Sequence, residues 1–365
     1  MNTERPLVLI HAEPLLDSVL QLAAAAGCEL ERAPDVAGLR RGWGCAPLVL
    51  LDERAAEGCT QAHLPRRAGV VVLSTSDPPD VLWQKAFEVG AEHVIRLPDQ
   101  EPWLINVLAD TGERPAVTAG RVFAVLGGRG GAGASVLSAA VALTAVSRGA
   151  SALLVDCDPL GAGVDLLLGA ETEVGLRWPD LRIGSGRVPA SALRSALPGR
   201  AAGQARLAVV SCDRNGQGPG PEALAAVIDA GRRAGDMVVC DLPREPTPAA
   251  ELAVDRADLV VLVVPAEVRA SAAARSLARR VHGRGGQVAL VVRGPAPGGL
   301  RAMDVAEAVD VPLLAAMRWE PGLPQTVDRG AFRLRPRGPL RAAANAVLDA
   351  VLSGAPVRRV MGGAA

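Results

Sequence analysis

The residues with the clearest chemistry are Gly128 to Ser135, G-R-G-G-A-G-A-S, between the apolar run "RVFAVLG" (121–127) and the helical pattern "ASVLSAAVALTAVSRG" (134–149). Glycines let backbone N–H groups approach an anion, and a helix start adds the positive end of its dipole. The phosphate-binding pattern G-x-x-x-x-G-K-[ST] also needs a lysine for the outer phosphates and a hydroxyl for Mg²⁺. Ser135 fills the hydroxyl position, but Ala134 stands where the lysine belongs. Gly128, Arg129, Gly130, Gly131, Ala132, Gly133, Ala134 and Ser135 are therefore the candidate nucleotide-binding set, with Arg129 its only cation. A unit-charge pair at about 4 Å is worth on the order of 4 kcal/mol at an effective dielectric of ~20, so losing the lysine weakens the grip on phosphate. The chain's only lysine, Lys85, lies in the other half of the sequence.

Acids at strand ends supply the rest of such a site. "LLVDCDP" (153–159) presents Asp156 and Asp158, and "MVVCDLP" (237–243) is an apolar strand closing on Asp241, which suits an acid near Mg²⁺.

A sheet must hold these residues in place. In the C-terminal half, strand patterns at 121–127, 151–159, 206–212, 236–243, 257–266, 286–294 and 312–317 alternate with helical ones. Apolar strands joined by helices predict an α/β fold with a mainly parallel sheet, whose ligands bind at the carboxyl ends of the strands. The N-terminal half repeats the alternation on a smaller scale, with strands at 6–10, 29–33, 47–53, 69–77 and 93–98. "TGERPAVTAG" (111–120) has no apolar periodicity and reads as a connection. The expected organisation is a domain over 1–112, a linker over 113–120, a second domain over 121–355 and a flexible tail over 356–365.

Composition excludes several functions. The formal net charge is zero, so no global field draws the chain to nucleic acid or lipid. With no Tyr, three Phe and five Trp, a base-stacking surface is poorly supplied, and no specific nucleic-acid partner is expected. The six cysteines show no metal spacing and read as reduced thiols in a cytoplasmic protein. Charges at Glu4, Arg5 and Glu13 break any signal-peptide core, and no apolar run approaches the ~18 residues of a membrane span. "RGAFRLRPRGPLR" (329–341) carries five arginines and no acid, and reads as a solvated basic loop.

The N-terminal half resembles the receiver (flavodoxin-like) domain of two-component regulators. Asp52 falls on the phospho-acceptor position, and Ser74 or Thr75 on the hydroxyl position. The metal-binding acidic pair is represented by His11 and Glu13, and the conserved lysine by Leu97 before Pro98. These departures imply a pseudo-receiver that binds partners. The C-terminal half resembles the MinD/ParA branch of P-loop proteins, with its deviant loop K-G-G-x-G-K-[ST]. Here R-G-G-A-G-A-S (129–135) puts Arg129 on the lysine that reaches across a dimer, and Ala134 on the P-loop lysine. Asp156 and Asp158 fall on the D-x-D motif. The resemblance implies Ser135, Asp156 and Asp241 as Mg²⁺ ligands and Asp158 as the residue that positions the attacking water. Where the branch reads adenine with an Asn, this chain has Arg293.

A receiver-like half followed by a MinD-like half is the layout of CpaE-like proteins. "GLRWPDL" (175–181), "GGRGGAGAS" (127–135) and "VVRGPAPGG" (291–299) are similar to the septum-site-determining members of that group. The resemblance implies a regulatory and localisation protein that influences where the cell divides. Its partners would be proteins of division or pilus and secretion machinery, or a second copy of the chain, with weak contact to the membrane surface. ATP and Mg²⁺ are the implied ligands, and Ala134 with Arg293 argues for weak or absent hydrolysis. The competing expectation is a working ATPase whose nucleotide-dependent dimer localises Flp/Tad pilus or secretion machinery.

Overall fold

The computed structural model describes residues 5–112, 120–181, 183, 188–296, 298–330 and 332–353. Residues 113–119 of the expected linker and the tail 356–365 lie outside them. The chain divides between Arg114 and Pro115 into two compact units.

The first unit is built on five short strands: β1 (Leu7–Leu9), β2 (Glu31–Arg32), β3 (Val49–Asp52), β4 (Val70–Ser74) and β5 (His93–Arg96). They pair in the order β2-β1-β3-β4-β5, all parallel. This is the doubly wound order of flavodoxin-like folds. All four residues of β3 are buried, as expected for a strand covered on both faces. One apolar cluster holds Leu7, Leu9, Val49, Leu51 and Val72; another holds Val8, Ile10, Leu50, Val71 and Leu73. Alternate residues of each strand thus feed opposite layers.

The second unit carries β6 (Arg121–Gly127), β7 (Ala152–Asp156), β8 (Gly199–Ala202), β9 (Ala205–Val210), β10 (Met237–Asp241), β11 (Leu259–Pro265), β12 (Val288–Gly294) and β13 (Leu313–Arg318). Their order is β13-β12-β11-β6-β10-β7-β9-β8, and only the edge hairpin β8–β9 is antiparallel. β6 sits inside the sheet between β11 and β10. The helix after it, Ala134–Ser147, is buried through Leu137, Ala139, Ala140, Val141, Ala142 and Ala145. Its alanines let it lie close to the sheet while the helix Pro339–Leu352 covers it with Leu340, Ala344 and Val347. The register places Asp241 of β10 beside Asp156 of β7, and Pro265 of β11 beside Arg293 of β12. The carboxyl ends of five strands thus converge where the glycine loop leaves β6.

Candidate functional site

The loop after β6 has the backbone an anion cradle requires. Gly131 and Gly133 have φ of +68° and +98°, a left-handed region that disfavours any residue with a Cβ. Gly128 is fixed by packing instead: a Cβ there would lie 2.9 Å from Val264 Cγ2 and 3.2 Å from Ala274 Cβ. Gly133 is the N-cap of the helix Ala134–Ser147, so the first N–H groups of that helix face the loop.

Two cavities meet at Ser135. The first, about 480 Å³, runs from the glycine loop past Arg244 and Arg293 to an apolar end formed by Met317, Trp319, Leu323, Val327 and Leu340. The second, about 410 Å³, is lined by Ser135, Asp156, Asp158 and Asp241 with the 161–167 turn. Both volumes fall in the range of about 300–1,000 Å³ typical of small-ligand sites.

The metal-side residues separate into two kinds. Asp241 is 3% exposed; its Oδ1 accepts from Ser138 Oγ at 3.0 Å, and it lines the second cavity together with Ser135. Burial pushes its pKa up to about 7, with the charge of Asp156 adding to the rise. Ser135 and Asp241 are therefore brought together at the mouth of the loop. Asp156 lines the same space, but its oxygens are already engaged. Oδ1 accepts from Asp158 N at 3.1 Å; Oδ2 accepts from Val164 N, Ser211 Oγ and Cys212 N at 3.2, 3.2 and 3.1 Å. This carboxylate folds the 156–164 turn against β9. Asp158 is half-buried and lines both cavities, and its Oδ1 accepts only from Leu160 N, at 3.1 Å.

The cations are arranged unlike the sequence-based expectation. Arg129 is turned to a carboxylate of the protein itself. Its Nε and one Nη each donate to Glu267 at 2.9 Å, and its other Nη donates to Gly130 O at 2.8 Å. Glu267 precedes the helix Val268–Gly283 just beyond β11, where no acid was expected to matter, and its side chain does not cap that helix. Arg293 has no side-chain hydrogen bond or ion pair among the described residues. Its Nη1 lies 3.5 Å from the place a Cβ of Gly133 would occupy, over the glycine loop. Burial lowers its pKa, the nearby Arg129 lowers it further, and Glu267 opposes both. Arg244 is exposed, lines the same cavity and has no partner among the described residues.

Sequence reasoning missed the far end of the cavity. Glu320 is 5% exposed; Arg335 Nε lies 3.3 Å from its Oε1, while its Oε2 has no hydrogen-bond partner. Arg335 belongs to the basic stretch 329–341, so one arginine of that stretch pairs with a buried acid while its own side chain stays exposed. The "GLRWPDL" stretch is also structural. Trp178 Nε1 donates to Asp156 O at 2.6 Å, and Arg177 bonds the carbonyls of Ala170 and Gly175 and the buried Asp165.

In the first unit, Asp52 is 6% exposed and caps the helix Glu53–Gln61. Its Oδ1 accepts from Ala55 N at 2.8 Å and lies 3.1 Å from His11 Nδ1. Its Oδ2 accepts from His11 N at 2.5 Å and Ala12 N at 3.3 Å. Glu13 is exposed beside Arg32, and Leu97 is buried. No group of three or more His, Cys, Asp or Glu among the described residues could hold a metal ion. Lys85 bonds Glu57 at 3.0 Å and lies 3.4 Å from Glu53.

These features define a two-unit α/β protein, a CheY-like domain followed by a MinD/ParA-like domain. Residues 9–119 match the family described as Rv3660c-like, CheY-like N-terminal domain. The chain is 49% identical over 311 residues to the uncharacterized protein Rv3660c of Mycobacterium tuberculosis, covering 85% of this chain and 87% of that protein. Its counterpart MT3760 in a second strain matches equally. The chain belongs to this Rv3660c-like family. Among solved structures, a ParA family ATPase from Chlorobium tepidum covers 64% of this chain and 98% of its own, with 15% identity and a TM-score of 0.53. The cell-division ATPase MinD of Pyrococcus furiosus covers 63% and 99%, with 19% identity and a TM-score of 0.52. MinD of Pyrococcus horikoshii, complexed with Mg-ADP, covers 64% and 97%, with 18% identity and a TM-score of 0.50. These likenesses establish the fold. Among the described residues, no helix is long and apolar enough to cross a membrane.

Proposed function

We propose that this protein is a regulatory and localisation protein that binds a nucleoside di- or triphosphate and turns it over slowly or not at all. It works through protein partners that place the division septum. The observation that carries this reading is a glycine loop that keeps its cradle, with Gly131 and Gly133 left-handed and Ser135 and Asp241 lining one cavity, while Ala134 removes the lysine. The resemblance of the second unit to MinD, a cell-division ATPase, supports the division context.

Ser135 and Asp241 are the residues that would hold Mg²⁺, with Asp241 acting in its ionised form. Bound Mg²⁺ would offset phosphate charge that the missing lysine leaves uncompensated. The loop N–H groups would take the phosphate oxygens. The apolar end, with Trp319 exposed, suits a flat heterocycle. Asp158 is the group placed to orient a water. Without a lysine against the outer phosphate, the transition-state charge it would stabilise is poorly met. The receiver-like unit supplies a partner surface, with Asp52 in a structural role.

Calorimetry with ADP and ATP in Mg²⁺, beside a steady-state ATPase assay, tests the biochemical claim. Saturable binding with turnover at background is expected. Turnover well above background and abolished by Asp241→Ala would instead support the nucleotide-driven dimer switch. The cellular claim is tested by imaging the tagged protein in dividing cells. Diffuse signal, together with unchanged septum spacing on deletion, would count against it.

A further inference from the structure

The glycine loop collects positive charge that the protein does not neutralise. The N-terminus of the helix Ala134–Ser147 points into the cradle. Arg129 and Arg293 both stand at its rim, and one carboxylate, Glu267, faces the two of them. That carboxylate is bound through both oxygens to Arg129, the fork-to-fork geometry in which an arginine–carboxylate pair is strongest. Arg293 is left half-buried, with no acceptor for its guanidinium among the described residues, beside Gly133. A half-desolvated cation held against a second cation and a helix N-terminus lacks an anion. The cavity at this place is open and large enough to admit one.

We infer that Arg293 is the residue that grips the phosphates in this protein, taking over from β12 the task that a lysine at position 134 would perform from the loop. Arg129 is withdrawn from that task by Glu267. This rests on the nucleotide-binding reading above and sharpens it. It also reverses the expectation for Arg293, because a guanidinium over the loop addresses phosphate oxygens and not the base. A guanidinium offers paired donors in a plane, which suits two oxygens of a di- or triphosphate. The ligand class is therefore a polyphosphate whose charged end lies over Gly133.

The test is calorimetry on the full chain with Mg-ADP and with pyrophosphate, which has no base. Wild type, Arg293→Ala, Arg293→Lys and Arg129→Ala are compared, with a melting curve of each protein without ligand. Arg293→Ala should weaken both ligands at least about tenfold. Arg293→Lys should recover part of that loss. Arg129→Ala should change affinity less than about threefold. The ligand-free melting temperature of Arg293→Ala should equal or exceed that of wild type, since an unpaired cation has been removed. Loss of ADP binding with pyrophosphate binding intact would overturn the inference and return Arg293 to base reading. So would a large loss in Arg129→Ala with none in Arg293→Ala, and in that case nucleotide binding itself would stand. If wild type bound neither ligand, the inference and the reading beneath it would fall together.

Discussion

The two units place an acid or a loop at the carboxyl end of a parallel sheet in the same way, but they treat its charge differently. At the end of β3, each oxygen of Asp52 already faces two donors, counting His11 Nδ1, and a buried leucine stands where a lysine would be expected. That site is closed: its carboxylate ties β1 to the helix Glu53–Gln61 and has nothing left to offer a ligand. At the end of β6 the lysine is also missing, yet among the described residues Arg293 and Arg244 have no side-chain partner. Loss of the same residue type has left a structural cap in one unit and an open cavity lined by unpaired arginines in the other. What separates a relic from a ligand site is whether the remaining polar groups have satisfied one another.

The largest effect that would sharpen this contrast concerns Asp241. Its folded pKa is raised to about 7, so the ionised form is disfavoured in the folded protein. The penalty is fully present above that value and is relieved as pH falls through 7 toward about 4, where an unfolded aspartate titrates. Asp241→Asn should therefore stabilise the second unit at pH 9 by up to the order of 4 kcal/mol. The gain should shrink toward pH 5, as read by thermal melts in EDTA. A gain independent of pH would mean that the acid is not strained. The comparison carboxylate should behave in the opposite way: Asp52→Ala should cost the first unit about 1–2 kcal/mol through its lost cap. A small acyl-phosphate donor should leave no phosphoryl group on the wild-type chain, and stable labelling abolished by Asp52→Asn would reopen the first site.

Restoring the lysine should move only the second unit. In an Arg293→Ala background, Ala134→Lys should recover about tenfold in ADP affinity, or ~1.4 kcal/mol, measured by calorimetry. No recovery would show that more than a cation is missing. The smallest effect belongs to the Arg129–Glu267 pair, whose side chains are each more than a third exposed. Glu267→Gln should leave the melting temperature nearly unchanged, and any loss should diminish further in high salt. A larger loss would make the pair a structural clamp.

Much of the architecture was legible in the sequence, because fully apolar strands and glycine-ended helices carry strong periodic signals. The elements that escaped are short or polar. The helix Pro248–Arg256 is announced only by the cap Thr247, whose hydroxyl accepts from Ala250 N at 3.1 Å. The helix Val36–Gly42 depends similarly on Asp35, which accepts from Gly38 N. The edge strand β8 is a four-residue run with no apolar alternation. At the site, the residue types could be read but their partners could not. Arg129 and Glu267 are 138 positions apart, and nothing local says that they pair. The hydrogen bonds that occupy Asp156 come from Val164, Ser211 and Cys212, which only the folded sheet brings to it. The apolar end of the cavity is built from the end of β13 onward, a region whose sequence has no motif to mark it.

The measurement that tests the account most directly is a paired one on the wild-type chain: Mg-ADP binding by calorimetry and ATP turnover at saturating nucleotide. The account predicts saturable binding, competed by pyrophosphate, with turnover indistinguishable from background. Absence of saturable binding, or turnover that stands clearly above background and disappears in Asp241→Ala, would contradict it.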